Sequence, residues 1–211
     1  MIGYFKKDLF LLHRQLRSYG IILLIYGVIS VTGIWGPWIV PAFVSVVTLM
    51  CPLTAFAYDQ MCRWDAYARS LPDGGRKAVQ GRYLCVAVIA VGAAAVCSLF
   101  TLALWGLGLT DLALPELLAG NLSSGVVGVL MTALILPMCY KFGVERARVL
   151  MLVTGIVVVA GFAGVAALGE NLPSPSGPAL AAVCGAAAVL ILALFLLSYH
   201  ISQRIYQKKE L

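Results

Sequence analysis

All 15 Lys and Arg residues of this chain fall in four short breaks between long uncharged apolar stretches. They are Lys6, Lys7, Arg14 and Arg17; then Arg63, Arg69, Arg76, Lys77 and Arg82; then Lys141, Arg146 and Arg148; then Arg204, Lys208 and Lys209. The intervening breaks carry no positive charge. Lys and Arg beside membrane spans stay on the cytoplasmic side, so this asymmetry sets both span number and orientation. It predicts six spans with both termini in the cytoplasm. The chain is 62% hydrophobic and 11% charged, whereas a soluble domain is roughly 45–50% apolar and about 25% charged. The excess sits in stretches near the ~20 residues that cross a hydrocarbon core of about 30 Å.

The first element is not a span. Ile2, Phe5, Leu9, Leu12 and Leu16 recur at alternating helical spacings, while Lys6, Lys7, His13, Arg14 and Arg17 occupy the other faces. Such a basic amphipathic helix, over 1–18, is suited to lie in the cytoplasmic interface. It has no short apolar core and no cleavage site, so no signal peptide is expected. The uncharged run from Tyr19 to Ala57 suits two spans, 19–35 and 38–57, parted at Gly36-Pro37 with Trp35 and Trp38 as interface anchors. Pro41 and Pro52 lie in the second span, where each removes a backbone donor. A cytoplasmic loop follows at 58–82. Further spans are expected at 83–109, 117–140, 149–168 and 179–200. The expected fold is an all-α polytopic membrane protein forming a single transmembrane domain. Ala160 with Gly164 and Ala181 with Gly185 are small pairs four apart, which let membrane helices approach closely.

Several chemistries lack their residues. On this reading no Asp, Glu, Lys or Arg lies inside a span, which disfavours ion-coupled transport. The only histidines, His13 and His200, sit near span ends and read as interfacial residues. Neither a metalloprotease pattern nor a Ser-His-acid set is present. Gly74-Gly75-Arg76-Lys77 lacks the spacing of a phosphate loop. The six cysteines form no CxxC pair and read as buried free thiols, with no metal site or disulfide expected. The net charge of +6 flanks spans rather than forming one surface, so a nucleic-acid partner is not expected. What remains is a bundle without its own energy source.

The cytoplasmic breaks carry the remaining signal. Trp64, Tyr67 and Leu71 fall on one face of a short helix that ends at Pro72, and Asp65 precedes Arg69 by four in the favourable order. Two readings stay open: an aromatic plug for a partner's groove, or a helix resting on the membrane interface.

The string from Tyr58 to Pro72, containing Trp64-Asp65-Ala66-Tyr67-Ala68-Arg69-Ser70-Leu71-Pro72 and followed by Arg76-Lys77 and Gly81-Arg82-Tyr83-Leu84, resembles the first cytoplasmic loop of small bacterial ABC-2 type permeases. Leu136 to Arg148, with Tyr140-Lys141-Phe142-Gly143-Val144-Glu145-Arg146, resembles that family's segment after span four. The Lys7-Asp8-Leu9 start and the Ser198 to Leu211 end are similar too. After the "SLP" string the family usually has a hydrophobic residue and Ser, where this chain has Asp73-Gly74-Gly75. The resemblance implies the ABC-2 type exporter fold and the membrane subunit of an ABC exporter in the bacterial cytoplasmic membrane. It implies a dimer, with itself or with a related permease, in the lipid bilayer. ATP hydrolysis would occur on a separate ATPase subunit, with ATP and Mg there and no cofactor on this chain. Arg63, Trp64, Asp65, Tyr67, Ala68, Arg69, Leu71 and Pro72 would form the helix that couples to the ATPase. Lys141, Phe142, Gly143, Glu145 and Arg146 would form a second cytoplasmic contact. The uncharged spans suggest an apolar or amphipathic cargo, with no cargo-binding residue assigned. The alternative is a non-transporting membrane anchor or signalling scaffold for a cytoplasmic complex.

Overall fold

The computed structural model describes residues 2–32, 36, 38–70, 74–110, 113–169 and 177–208; side chains at 157–188 lie outside that description. Among the described residues the chain is all-α, with no strand. Helix α1 covers Ile2–Thr32, α2 Ile39–Met61, α3 Trp64–Ser70, α4 Gly74–Gly106, α5 Leu114–Phe142, α6 Val144–Gly169 and α7 Gly177–Lys208. Among the described residues four helical segments are long and apolar enough to cross a membrane: Ile39–Met61, Gly75–Gly106, Leu114–Phe142 and Val189–Lys208. Helix α1 makes a fifth if its two arms count as one span. Those arms, Gly3–Leu12 and Arg17–Thr32, are inclined by 53°. The bend falls at 13–16, within the basic amphipathic pattern and just before the uncharged run.

Helix α2 occupies the centre and packs on α1, α4 and α5. Its residues Val40, Val44, Val47 and Cys51 recur at helical spacing and are buried, which gives it a continuous apolar face. Helix α5 approaches α2 through glycine. A Cβ on Gly128 would lie 2.9 Å from Ser45 Cα and 3.0 Å from Thr48 Cβ, and one on Gly120 would lie 2.9 Å from the Trp38 ring. The backbones are therefore nearly in contact, the arrangement that small residues permit between membrane helices. The Ala160–Gly164 and Ala181–Gly185 pairs lie outside the described side chains.

Two prolines inside helices explain two hydrogen bonds between helices. Pro52 has no N–H for the carbonyl of Thr48, and Pro137 has none for that of Ala133. Neighbouring helices supply the missing donors. Thr132 Oγ1 on α5 shares its one hydrogen between the Gly128 carbonyl of its own helix at 2.7 Å and the Thr48 carbonyl at 3.2 Å, and Ser198 Oγ on α7 donates to the Ala133 carbonyl. Ser198 and Ser202 also flank the Tyr83 hydroxyl at 2.7 and 2.8 Å, which ties α4 to α7. This is how membrane helices tolerate proline: a neighbour re-satisfies the freed carbonyl. Thr132→Val keeps the side-chain shape and removes the donor. Its expected cost is about 1 kcal/mol, near the upper part of the range measured for such bonds in membrane proteins. The check is the midpoint of thermal unfolding in mild detergent. An unchanged midpoint would show that the Thr48 carbonyl does not depend on Thr132.

Candidate functional site at the basic end of the bundle

The four charged breaks of the sequence converge at one end of the bundle. Lys7 of the first and Arg82 of the second share Asp59. Tyr140, beside the third, packs its ring edge-on to Tyr206 of the fourth, with centroids 5.4 Å apart. Gly75 at the start of α4 also faces the Tyr206 ring.

At the centre of this end sits a cluster of four charges on three helices. Helix α2 does not stop where the apolar run ends. It continues to Met61, and its last turns carry Asp59 inward, 8% exposed. Helix α4 begins at Gly74, well before its uncharged stretch, so Arg82 falls on its inner face at 5% exposed. Asp8 of α1 is buried at 3%. Arg82 pairs with Asp59, and its Nη1 lies 3.1 Å from Asp8 Oδ2. Lys7 Nζ lies 2.5 Å from Asp59 Oδ1 and 3.2 Å from Asp8 Oδ1. Two cations face two anions, so the cluster carries no net charge. Charges removed from water are tolerated only when paired in this way. The Arg82 guanidinium also rests over the Phe56 ring, 4.6 Å from its centroid. These charges were expected in solvated breaks. Their burial follows from the helices running beyond the apolar stretches.

Trp64 connects this cluster to α3. Lys7 Nζ lies 4.6 Å from the centre of a Trp64 ring, and Tyr4 meets that side chain edge-on at 6.4 Å. Trp64 is thus half-buried and turned toward α1. Ala68, one helical turn on, is fully buried. Tyr67 lies beside Trp64, with ring centroids 5.1 Å apart, but is 56% exposed. Arg63, exposed between α2 and α3, takes a left-handed conformation with φ 50°. A side-chain-bearing residue pays of order 1–2 kcal/mol for that backbone, and it lets α3 turn sharply off α2. Asp65 and Arg69 lie on α3, with side chains outside the description; Leu71 and Pro72 lie outside the described residues.

The second predicted segment forms the turn from α5 to α6. Gly143 caps α5 with φ 82°, and its N–H donates to the Cys139 carbonyl at 3.1 Å. The positive φ is what calls for glycine there; the atom nearest an added Cβ, Gln60 Nε2 at 2.7 Å, ends an exposed flexible side chain that can move aside. Lys141, Phe142, Glu145 and Arg146 are exposed, while Val144 and Ala147 are buried and anchor the turn. Asp59 and Gln60, adjacent on α2, therefore address the two segments: one faces the charge cluster, the other faces Gly143. Sequence reasoning missed Asp8, Asp59 and Arg82 as a unit. The available signal was that Asp59 and Arg82, of opposite charge, border consecutive apolar stretches.

Among the described residues no three His, Cys, Asp or Glu side chains gather as a metal site. Cys51, Cys85, Cys97 and Cys139 are buried free thiols, and Cys62 is an exposed one.

An all-α bundle with several membrane-length apolar helices, and with its positive charges drawn together at one end, is a multi-pass membrane protein. Residues 3–207 match the family described as ABC-2 family transporter protein, and the chain belongs to that family. It is accordingly a membrane component of an ABC transporter. No match to the chain was found among curated proteins or among solved structures.

Proposed function

We propose that this chain is the permease subunit of an ATP-driven exporter, moving an apolar or amphipathic cargo across a bacterial cytoplasmic membrane. In this reading the basic end faces the cytoplasm, α1 lays its first arm along the interface, and the second arm with α2, α4, α5, α6 and α7 makes six spans. The positive-inside bias supports that orientation. The permease pairs with itself or a related subunit, and a separate ATPase holds ATP and Mg. An apolar cleft of about 370 Å³ between α1, α2 and α4, lined by Leu23, Phe43, Val47 and Ile89 among others, suits such a cargo.

The observation that carries the reading is the divided face of α3. Tyr67 points away from the bundle, whereas Trp64 and Ala68 point into it. An ATPase that grips Tyr67 and the exposed Glu145 and Arg146 pushes on α3, and Trp64 passes that displacement to Lys7 and the cluster joining α1, α2 and α4. ATP binding then biases the permease only if the ATPase holds one permease conformation more tightly than the other.

Tyr67→Ala is expected to weaken ATPase association by about 2 kcal/mol or more, as truncation of an aromatic anchor does. Its own thermal stability should stay near wild type, because Tyr67 is exposed. The measurement is recovery of a soluble ATPase with the tagged permease from native membranes in mild detergent. Wild-type recovery, with wild-type stimulation of its ATPase activity, would remove Tyr67 from the contact.

A further inference from the structure

We propose that the cleft between α5 and α7 is a binding site for one anionic phospholipid from the leaflet at the basic end. Two adjoining hollows, of about 350 and 320 Å³, share Lys141 and Ile205 as walls. Each lies within the roughly 300–1,000 Å³ of small-molecule sites. The two helices present matched stripes to the cleft. On α5 Leu130, Leu134, Pro137 and Lys141 recur at helical spacing; on α7 Leu194, Leu197, Ile201, Ile205 and Lys208 do the same. Both stripes are apolar through the depth of the bundle, and both end in lysine at the same end.

That order matches a phospholipid: acyl chain along the stripes, phosphate between the two ammonium groups. Lys141 lies over the Phe142 ring, 5.0 Å from its centroid, and neither lysine is paired with a carboxylate among the described residues. Two exposed cations at the mouth of an apolar cleft attract an anionic headgroup over a zwitterionic one. The floor of the cleft is Ser198, whose hydroxyl serves the Ala133 carbonyl freed by Pro137. A chain lodged there lies along the Pro137 turn of α5. The site does not depend on cargo or on the exporter reading. It draws Lys141 from the second ATPase contact, and lipid binding by the permease without ATPase separates the two roles.

The test is native mass spectrometry of the full chain in mild detergent, titrated with phosphatidylglycerol or phosphatidylcholine. The wild type is expected to hold one phosphatidylglycerol with a preference of about thirtyfold, from two lysines near a charged headgroup. Lys141→Gln with Lys208→Gln should bring the preference to within about twofold by removing that term. Arg146→Gln with Arg148→Gln removes equal charge at the same end and should leave the preference unchanged. Equal binding of the two lipids by wild type would overturn the proposal. So would equal loss in the arginine control, which would mean only a diffuse basic surface. Leu134→Cys cross-linking two copies, with no lipid retained, would assign the cleft to a second copy of this chain and overturn it too.

Discussion

Arg82→Met is expected to cost about 3–5 kcal/mol of stability, the loss that follows when one partner of a buried ion pair is removed. Methionine fills much of the space but leaves Asp8 and Asp59 facing each other with Lys7 alone between them. Both carboxylates are buried, so water cannot absorb the excess negative charge. The result should appear as a large fall in the detergent unfolding temperature and in the yield of monodisperse protein. The decisive comparison is the double variant Arg82→Met with Asp8→Asn. It leaves Lys7 opposite Asp59, restores neutrality and should recover most of the loss, because interacting residues are not additive. A single variant as stable as wild type would mean that the cluster is wet and its pairing of little consequence. A double variant worse than the single would show that geometry, not charge balance, holds α1 to α4.

The second large effect is expected at Gly128. Glycine to alanine in a helix interior normally stabilises by roughly 0.5–1 kcal/mol. At Gly128 the sign should reverse, since the new Cβ meets the α2 backbone at Ser45 and cannot be relieved by a side-chain rotation. Overpacking of this kind costs typically 1–3 kcal/mol, occasionally more. Gly128→Leu should separate α2 from α5 and abolish folded protein. Gly92→Ala is the internal comparison, because a Cβ there has nothing within 4 Å. It should match or slightly exceed wild type in unfolding temperature. Equal behaviour of the two alanine variants would refute close α2–α5 packing.

Both effects concern α2, and neither was legible in composition. The sequence does mark α2 as apolar and uncharged from Tyr19's run through Ala57, and marks Pro52 as a missing donor. It does not say that Thr132, far along the chain, faces the freed carbonyl. Small-residue spacing pointed to pairs in α6 and α7, which lie outside the described side chains; among the described residues α5 approaches α2 closely through Gly120 and Gly128, which that spacing did not single out. Glycine spacing is a weak guide in so apolar a chain, because many faces satisfy it and packing selects one. The aromatic helix was visible in Trp64, Tyr67 and Leu71 at helical spacing. Spacing placed Trp64 and Tyr67 on one face, yet Trp64 turns to Tyr4 and Lys7 and Tyr67 turns outward.

The sequence by itself determined that this chain is an all-helical membrane protein with its positive charge gathered at one end. That follows from terms additive along the chain: transfer of apolar residues into hydrocarbon, and the cost of moving Lys and Arg across it. Tertiary structure alone decided that Asp8, Asp59 and Arg82 are buried partners rather than solvated loop charges. Whether a charge at a helix end meets water or a counter-charge depends on which helices cross there, and on how far each runs past its apolar stretch. That is a property of packing between segments distant in sequence, which no window of residues contains.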